Sequence, residues 1–444
     1  MNTPQPELKR ELGLFRSTVI NMIDMVGIGP FVTLPLVIAI MNGPHFIIAW
    51  FAGALISLID GMIWSELGAT FPKAGGSYNF LNESYGREKW GKLMSFLYVW
   101  QTLIQAPLVV ASGAIGFAQY FAYLVPLDEI GKKIVSGTVV LLLIFLLYRR
   151  IDTIGKISVL LWTGVILTIG WIIYGGLSHS NLTGYSLISA FDGITIDHLF
   201  FAALGQACIK SVYSYLGYYN VCHIGSEIKD PQKNIPWSIF ISIAGIALLY
   251  VTMNVCVVRI IPWQEAMHSE FIVSLFIEKL YGERAAQIVT ALVLWVAFAS
   301  LFAVLLGYSR IPYAAAADGR FFKVFAKVHS SKNFPHISLL FVGGLGFVFS
   351  LLFRLADVIT AILAMRILVQ FVGQAAGVIL LRKRIGKNNL GYRMWLYPLP
   401  VIIAILIWLW IFISTGYEFM QSGLIMIAAG IIVYFGIKWF SGRA

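Results

Sequence analysis

From about residue 17 onward the chain stays apolar, again and again, for the roughly twenty residues that a helix needs to cross a bilayer. Twelve such runs lie near 17–42, 45–68, 92–124, 134–149, 157–178, 199–227, 237–261, 286–309, 336–353, 357–381, 394–415 and 421–438. Hydrocarbon offers no hydrogen bonds, so only helices and closed barrels can span it. Barrel strands would alternate in segments of about ten residues, whereas these runs are continuous. The expected fold class is an all-α polytopic membrane protein with twelve spans. Composition agrees: 59% of residues are hydrophobic and 12% charged, about half the charged share of a soluble domain.

The net charge of +11 does not point to nucleic acid, because the basic residues sit in short loops without a stripe that could follow phosphates. They set the orientation instead. With the amino terminus inside, the inner segments hold 24 of the 32 lysines and arginines, including REKWGK (87–92), YRRIDTIGK (148–156), EIKDPQK (227–233), residues 310–332 and RKRIGK (382–387). Six lie outside: Lys132, Lys133, Arg259, Lys279, Arg284 and Arg354. Both termini are expected in the cytoplasm, in the plasma (inner) membrane. The segment before the first run has no apolar core of its own, so no cleavable leader is read there. Cys208, Cys222 and Cys256 show no metal spacing and read as buried thiols. The sequon at Asn181 reads as chance.

Two runs are interrupted. The first carries Gly27, Gly29 and Pro30 in mid-span; the sixth carries Tyr213-Ser214-Tyr215-Leu216-Gly217-Tyr218-Tyr219-Asn220. They are five spans apart and so enter from opposite faces. Paired interruptions point to inverted repeats with a binding site at the midplane. The repeats would be 14–178 and 199–384, with 391–440 appended, all in one transmembrane unit spanning 1–444. At the first break, free amides of Ile28 and Gly29 open a half-helix and suit an anion. Pro30 sits where its missing N–H costs nothing. Carbonyls of Asp24, Met25 and Val26 suit an ammonium. A kinked, packed helix is the alternative, since glycine is frequent in spans.

These residues resemble a known family, the amino acid–polyamine–organocation transporters, and within it the L-type amino acid transporters and their bacterial relatives. The family's G-T-x-I-G-S-G-I-F-V-T-P is similar to Ile23 through Thr33. YAELG with P-x-S-G-G-x-Y resembles Trp64-Ser65-Glu66-Leu67-Gly68 and Pro72 through Tyr78. The family's sixth span and following loop resemble Tyr213 through Asn220 and Ser226 through Pro236. LGYSRxPYALARDG resembles Leu306 through Gly319, and Leu381-Arg382-Lys383-Arg384 stands where the family ends its tenth span. The resemblance implies the leucine-transporter fold, twelve helices with 5+5 inverted repeats, and alternating access. By position it implies a carboxylate site at the amides of Gly27, Ile28 and Gly29. It implies an amine site at the carbonyls of Met25, Tyr213 and Ser214, and an aromatic gate at Tyr213 or Tyr215. Val26 and Gly217 complete the implied substrate site. The chain departs from the family at Asp24, Ile28, Pro30 and Leu216, and it lacks the mid-span-five lysine that many sodium-independent relatives carry; Lys210 appears in span six instead.

Ionisable residues inside spans are costly and mark function by default. Asp24 would bind the cationic part of the substrate or carry a coupling proton; the alternative is a structural ion pair with Lys210. Asp60 reads as solvated or paired, Arg366 as packed on a carbonyl or carboxylate, and Glu66 and Glu227 as gate or loop-ordering groups. No P-loop, HExxH or acid-pair pattern argues for an enzyme. The function expected is secondary transport of an amino acid, with no cofactor or metal beyond a possible coupling proton or Na⁺. Its partners would be that small molecule and the lipid bilayer. Rivals are a polyamine or organic-cation transporter and, in another class, a channel or sensor of the same fold.

Overall fold

The computed structural model describes residue 10 and residues 12–73, 75–148, 151–191, 194–329 and 334–441. Lys9, Ala74, Arg149, Arg150, Lys332 and Arg443, which entered the motif and charge readings, lie outside the described residues. Among the described residues the fold is all-helical, and the one extended pairing is a bridge between Leu12 and Ile228. There the Leu12 amide donates to Glu227 O at 3.0 Å and the Lys229 amide to Leu12 O at 2.8 Å. Glu227 thus orders its loop through its backbone.

The first span is two helices, α1 (Leu14–Met25) and α2 (Gly29–Met41), bent 50° at the break between them. Then follow α3 (Ile47–Thr70), the short α4 (Ser77–Ser84), α5 (Gly91–Leu124), α6 (Glu129–Leu147) and α7 (Ile151–Ser178). The sixth apolar run forms α8 (His198–Tyr215), a turn, and α9 (Asn220–His223). Next come α10 (Pro231–Ile260), the short α11 (Trp263–Ala266) and α12 (Ile272–Tyr281), α13 (Glu283–Tyr308) and α14 (Arg310–Ala317). The last group is α15 (His336–Leu352), α16 (Leu355–Arg366), a wide π turn (Ile367–Val372), α17 (Gly373–Ile385), α18 (Leu399–Ser414) and α19 (Tyr417–Ser441).

Eight of the described helical segments are long and apolar enough to cross a membrane, and the bent α1–α2 pair makes nine. The twelve-span count is therefore not reached by length and composition alone. The shortfall has a physical cause. α15 and α18 are apolar but have 17 and 16 residues, about 25 Å at 1.5 Å per residue, against a hydrocarbon core of about 30 Å. α8 is interrupted and carries Lys210.

α2 packs on α8, α1 on α10, and α3 on both α10 and α8, while α5 lies against α13, α15 and α16. The two interrupted spans are thus held together and enclosed. Peripheral helices show large apolar side chains outward, as at Ile432 and Ile425 of α19, which suits a lipid-facing surface. Hydroxyls inside helices bond back to their own carbonyls, as Ser57 to Gly53 O at 2.8 Å and Thr168 to Gly164 O at 2.7 Å. Such back-bonding lets Ser and Thr sit in an apolar helix without an unpaired donor.

Candidate functional site between the two helix breaks

The Met25 carbonyl that ends α1 accepts the Gly27 amide at 3.2 Å and the Tyr250 hydroxyl of α10 at 2.8 Å. The Ile28 carbonyl already accepts from Phe31 and Val32 as α2 begins. The amides of Ile28 and Gly29 have no acceptor among the described residues, and Pro30 has no amide to offer. Gly27 is required by a close approach: a Cβ there would lie 2.5 Å from Ser300 Oγ of α13.

α8 ends at Tyr215, and Leu216–Tyr219 turn before α9. Gly217 makes this possible, with φ of +119°, a region only glycine enters at low cost. A Cβ on it would lie 2.8 Å from both Asp24 C and Met25 N. The two breaks are therefore in backbone contact. Thr33 and Ser214 share a hydroxyl bond of 2.8 Å, and the Val221 amide donates to Asn21 Oδ1 at 2.8 Å.

The breaks enclose a cavity of about 70 Å³, on a measure in which one water takes roughly 10–15 Å³. Asp24, Met25, Gly27, Ile28 and Gly29 line one side, and Tyr213, Ser214, Leu216, Gly217 and Tyr219 the other. Gly113 of α5 and Ser300 and Tyr308 of α13 contribute small or polar wall. Arg366, at the last turn of α16, closes it. Its guanidinium is held by Gln370 Oε1 at 2.8 Å and by the Tyr219 hydroxyl, and it lies 5.1 Å from the centre of the Tyr219 ring. Gln370 in turn donates to Ser77 Oγ at 3.1 Å. Asp24 and Arg366 thus bring one carboxylate and one guanidinium to the same small cavity.

Three residues singled out by sequence are placed elsewhere. Val26 is fully buried in the core and does not line the cavity. Tyr215 packs against Trp50 and Tyr250, with ring centres 6.2 and 5.4 Å away. It stands two helical positions from Tyr213, about 200° around the axis, so only Tyr213 reaches the cavity, with its hydroxyl bonded to Ser112 at 2.7 Å. Lys210 donates to Ala356 O and Thr360 Oγ1 of α16, both at 2.8 Å. The alternative Asp24–Lys210 pair is replaced by this helix-to-helix tie, Lys210 lying five residues before the end of α8.

Of the other charges read from the sequence, Asp60 differs from expectation. Asp60 is fully buried and accepts from two neutral donors, the Tyr218 hydroxyl at 2.6 Å and Trp408 Nε1 at 3.1 Å. Glu66 is likewise fully buried, paired with Arg382 of α17 and accepting the Met394 amide at 2.8 Å. Arg366 is the cavity-lining residue that sequence reasoning placed least well. Its presence within a span was the signal, but nothing in the sequence says which face it takes. Ser300 carried no signal at all, and Tyr308 entered only as part of the motif from Leu306 to Gly319.

Comparison with known proteins gives a consistent picture. The sequence model of the family described as amino acid permease matches residues 12–438. The serine/threonine exchanger of Bacillus subtilis is 26% identical over 99% of each chain. The large neutral amino acids transporter small subunit 2 of Oryctolagus cuniculus is 28% identical over 97% of this chain and 81% of its own. The branched-chain amino acid permease of Bacillus subtilis is 24% identical over 97% and 93%.

Proposed function

Since this chain belongs to the amino acid permease family and is a multi-pass membrane transporter of amino acids rather than an enzyme, we propose that it carries small neutral amino acids by alternating access. The observation that supports this most is the cavity between the breaks, which offers complementary poles to a zwitterion. The unpaired amides of Ile28 and Gly29 open α2 and would take the carboxylate. Asp24 would take the ammonium, with Met25 O already engaged by Tyr250. Arg366 balances Asp24, so the cavity as a whole is not anionic; this weighs against a polyamine, which would bring two or more positive charges beside a guanidinium. Size favours a small side chain. About 70 Å³ is only a few times the roughly 10–15 Å³ that a single water needs, which suits a small amino acid better than a large one. Ile28 and Leu216 put branched side chains on the cavity wall.

Twelve spans in the 5+5 inverted arrangement, with short α15 and α18 reaching the interfaces through their flanking loops, fit the basic-residue bias and put both termini in the cytoplasm. Exchange or a proton, rather than ATP, would drive the cycle. The test is counterflow in proteoliposomes loaded with serine, threonine or alanine, competed with leucine and with putrescine. Competition by the small neutral amino acids, with leucine weak and putrescine inert, is expected; the Asp24→Asn variant should lose affinity by about 10–100-fold, since a hydrogen bond to a charged group contributes about 1.5–3 kcal/mol. Competition by putrescine and none by serine or alanine would overturn the reading.

A further inference from the structure

Most hydroxyls on the wall of the cavity between the breaks are already engaged. The Tyr213 hydroxyl is bonded to Ser112 at 2.7 Å, and Ser214 Oγ to Thr33 at 2.8 Å. The Tyr219 hydroxyl accepts from Arg366, and that of Tyr308 accepts a long bond of 3.4 Å from Gln105 Nε2. Ser300 is different: its hydroxyl has no hydrogen-bond partner among the described residues. A serine inside a helix ordinarily bonds back to a carbonyl one turn earlier. Thr290 of the same helix does so, to Ala286 O at 2.6 Å. Ser300 instead sets its oxygen against the first break, where a Cβ on Gly27 would lie 2.5 Å from it.

The place of Ser300 fixes what it can meet. Asp24, which takes the ammonium in the proposed function, and the amides of Ile28 and Gly29, which take the carboxylate, lie on either side of Gly27 in the chain. An α-amino acid joins those two groups at its α-carbon, so that carbon would lie over Gly27 and its side chain would start beside Ser300. The stripe of α13 on the cavity wall is otherwise apolar at this level, with Ala297, Leu301 and Val304. Tyr308 stands eight residues further along the helix, about 12 Å at 1.5 Å per residue. With Tyr219 it also walls a smaller cavity beyond Asp24. From this geometry we infer that Ser300 is a specificity-determining residue: it selects amino acids with a side-chain hydroxyl, such as serine and threonine, over isosteres that carry a methyl group instead. The inference rests on the reading of the two poles. A substrate hydroxyl pairs with Ser300, whereas a methyl in its place leaves Ser300 unpaired in an enclosed space, and sites that bond a substrate hydroxyl discriminate for this reason.

Two isosteric pairs test this without a change of size: serine against 2-aminobutyrate, and threonine against valine. Their competition is measured by exchange in proteoliposomes, with unfolding temperature taken on the same preparations. The wild type should favour the hydroxyl member of each pair by about 3–10-fold, the ratio that one neutral hydrogen bond yields. Ser300→Ala should bring both ratios close to one. Ser300→Cys, nearly unchanged in size but only a weak hydrogen-bonding group, should lower them likewise, and it carries the test if the alanine variant fails to fold. Tyr308→Phe should leave the ratios as in the wild type. A packing role for Ser300 would weaken both members of a pair alike and keep the ratio, which overturns the inference. So does a preference lost in Tyr308→Phe but kept in Ser300→Ala. A wild type that exchanges 2-aminobutyrate as readily as serine also overturns it, while the two poles stand. A wild type that exchanges none of the four overturns the reading of the poles themselves, and this inference with it.

Discussion

The two helix breaks lie in backbone contact, yet they are built by different means. The first is a backbone device: glycines at 27 and 29, a proline at 30, two unpaired amides, and one outside hydrogen bond from Tyr250 to Met25 O. The second is fixed by side chains. Tyr218 is bonded to the buried Asp60, and Tyr219 is stacked on Trp64 at 4.4 Å and held by Arg366. A site needs both kinds. Groups that meet a ligand must be left unsatisfied, which costs several kcal/mol each in hydrocarbon, and a rigid neighbour must stop them from finding other partners.

The contrast can be broken most severely at its glycines. Gly217→Ala combines a left-handed φ with contacts of 2.8 Å to the Asp24–Met25 backbone, and backbone cannot yield. Transport and substrate-dependent thermal stabilisation should both vanish. Gly27→Ala meets only the Ser300 side chain, so it should keep partial transport, and the double variant with Ser300→Gly should recover most of it. Equal damage from the two alanines would show the breaks to be equally rigid.

A smaller effect is expected at Tyr218→Phe, which leaves the buried Asp60 with Trp408 alone. The cost should be about 1–3 kcal/mol of stability, seen as a lowered unfolding temperature with substrate affinity little changed. The smallest belongs to Tyr250→Phe, which removes one bond, worth about 1 kcal/mol. Because that bond occupies Met25 O, affinity should hold or rise. A large loss of affinity would mean that the first break also depends on side-chain anchoring.

Much of this arrangement could be read from the residues, because apolar run length and the placing of Gly and Pro are local signals. The interruption at Gly27–Pro30 and the one around Gly217 both fall where helices end. What could not be read is which way a helix faces its neighbours. Tyr213 and Tyr215 look equivalent in the sequence, and only the packing of α8 on α3 sends one to the cavity and the other to Trp50 and Tyr250. Lys210 and Arg366 are both lone in-span cations; their roles diverge because one meets the start of α16 and the other sits at its end. The apolar runs read at 336–353 and 394–415 gave helices of only 17 and 16 residues, so run length did not fix helix length.

Pro30 has a further consequence, which is one of counting. A helix start normally presents more free N–H groups than its first ligand needs. With residue 30 unable to contribute, the opening of α2 presents two, from Ile28 and Gly29, side by side. A carboxylate has two oxygens to set against them; a phosphate or sulfate would have to draw its further donors from side chains of the same cavity, such as Ser300 or Arg366. The proline therefore limits what the backbone alone can offer at this opening to two donors.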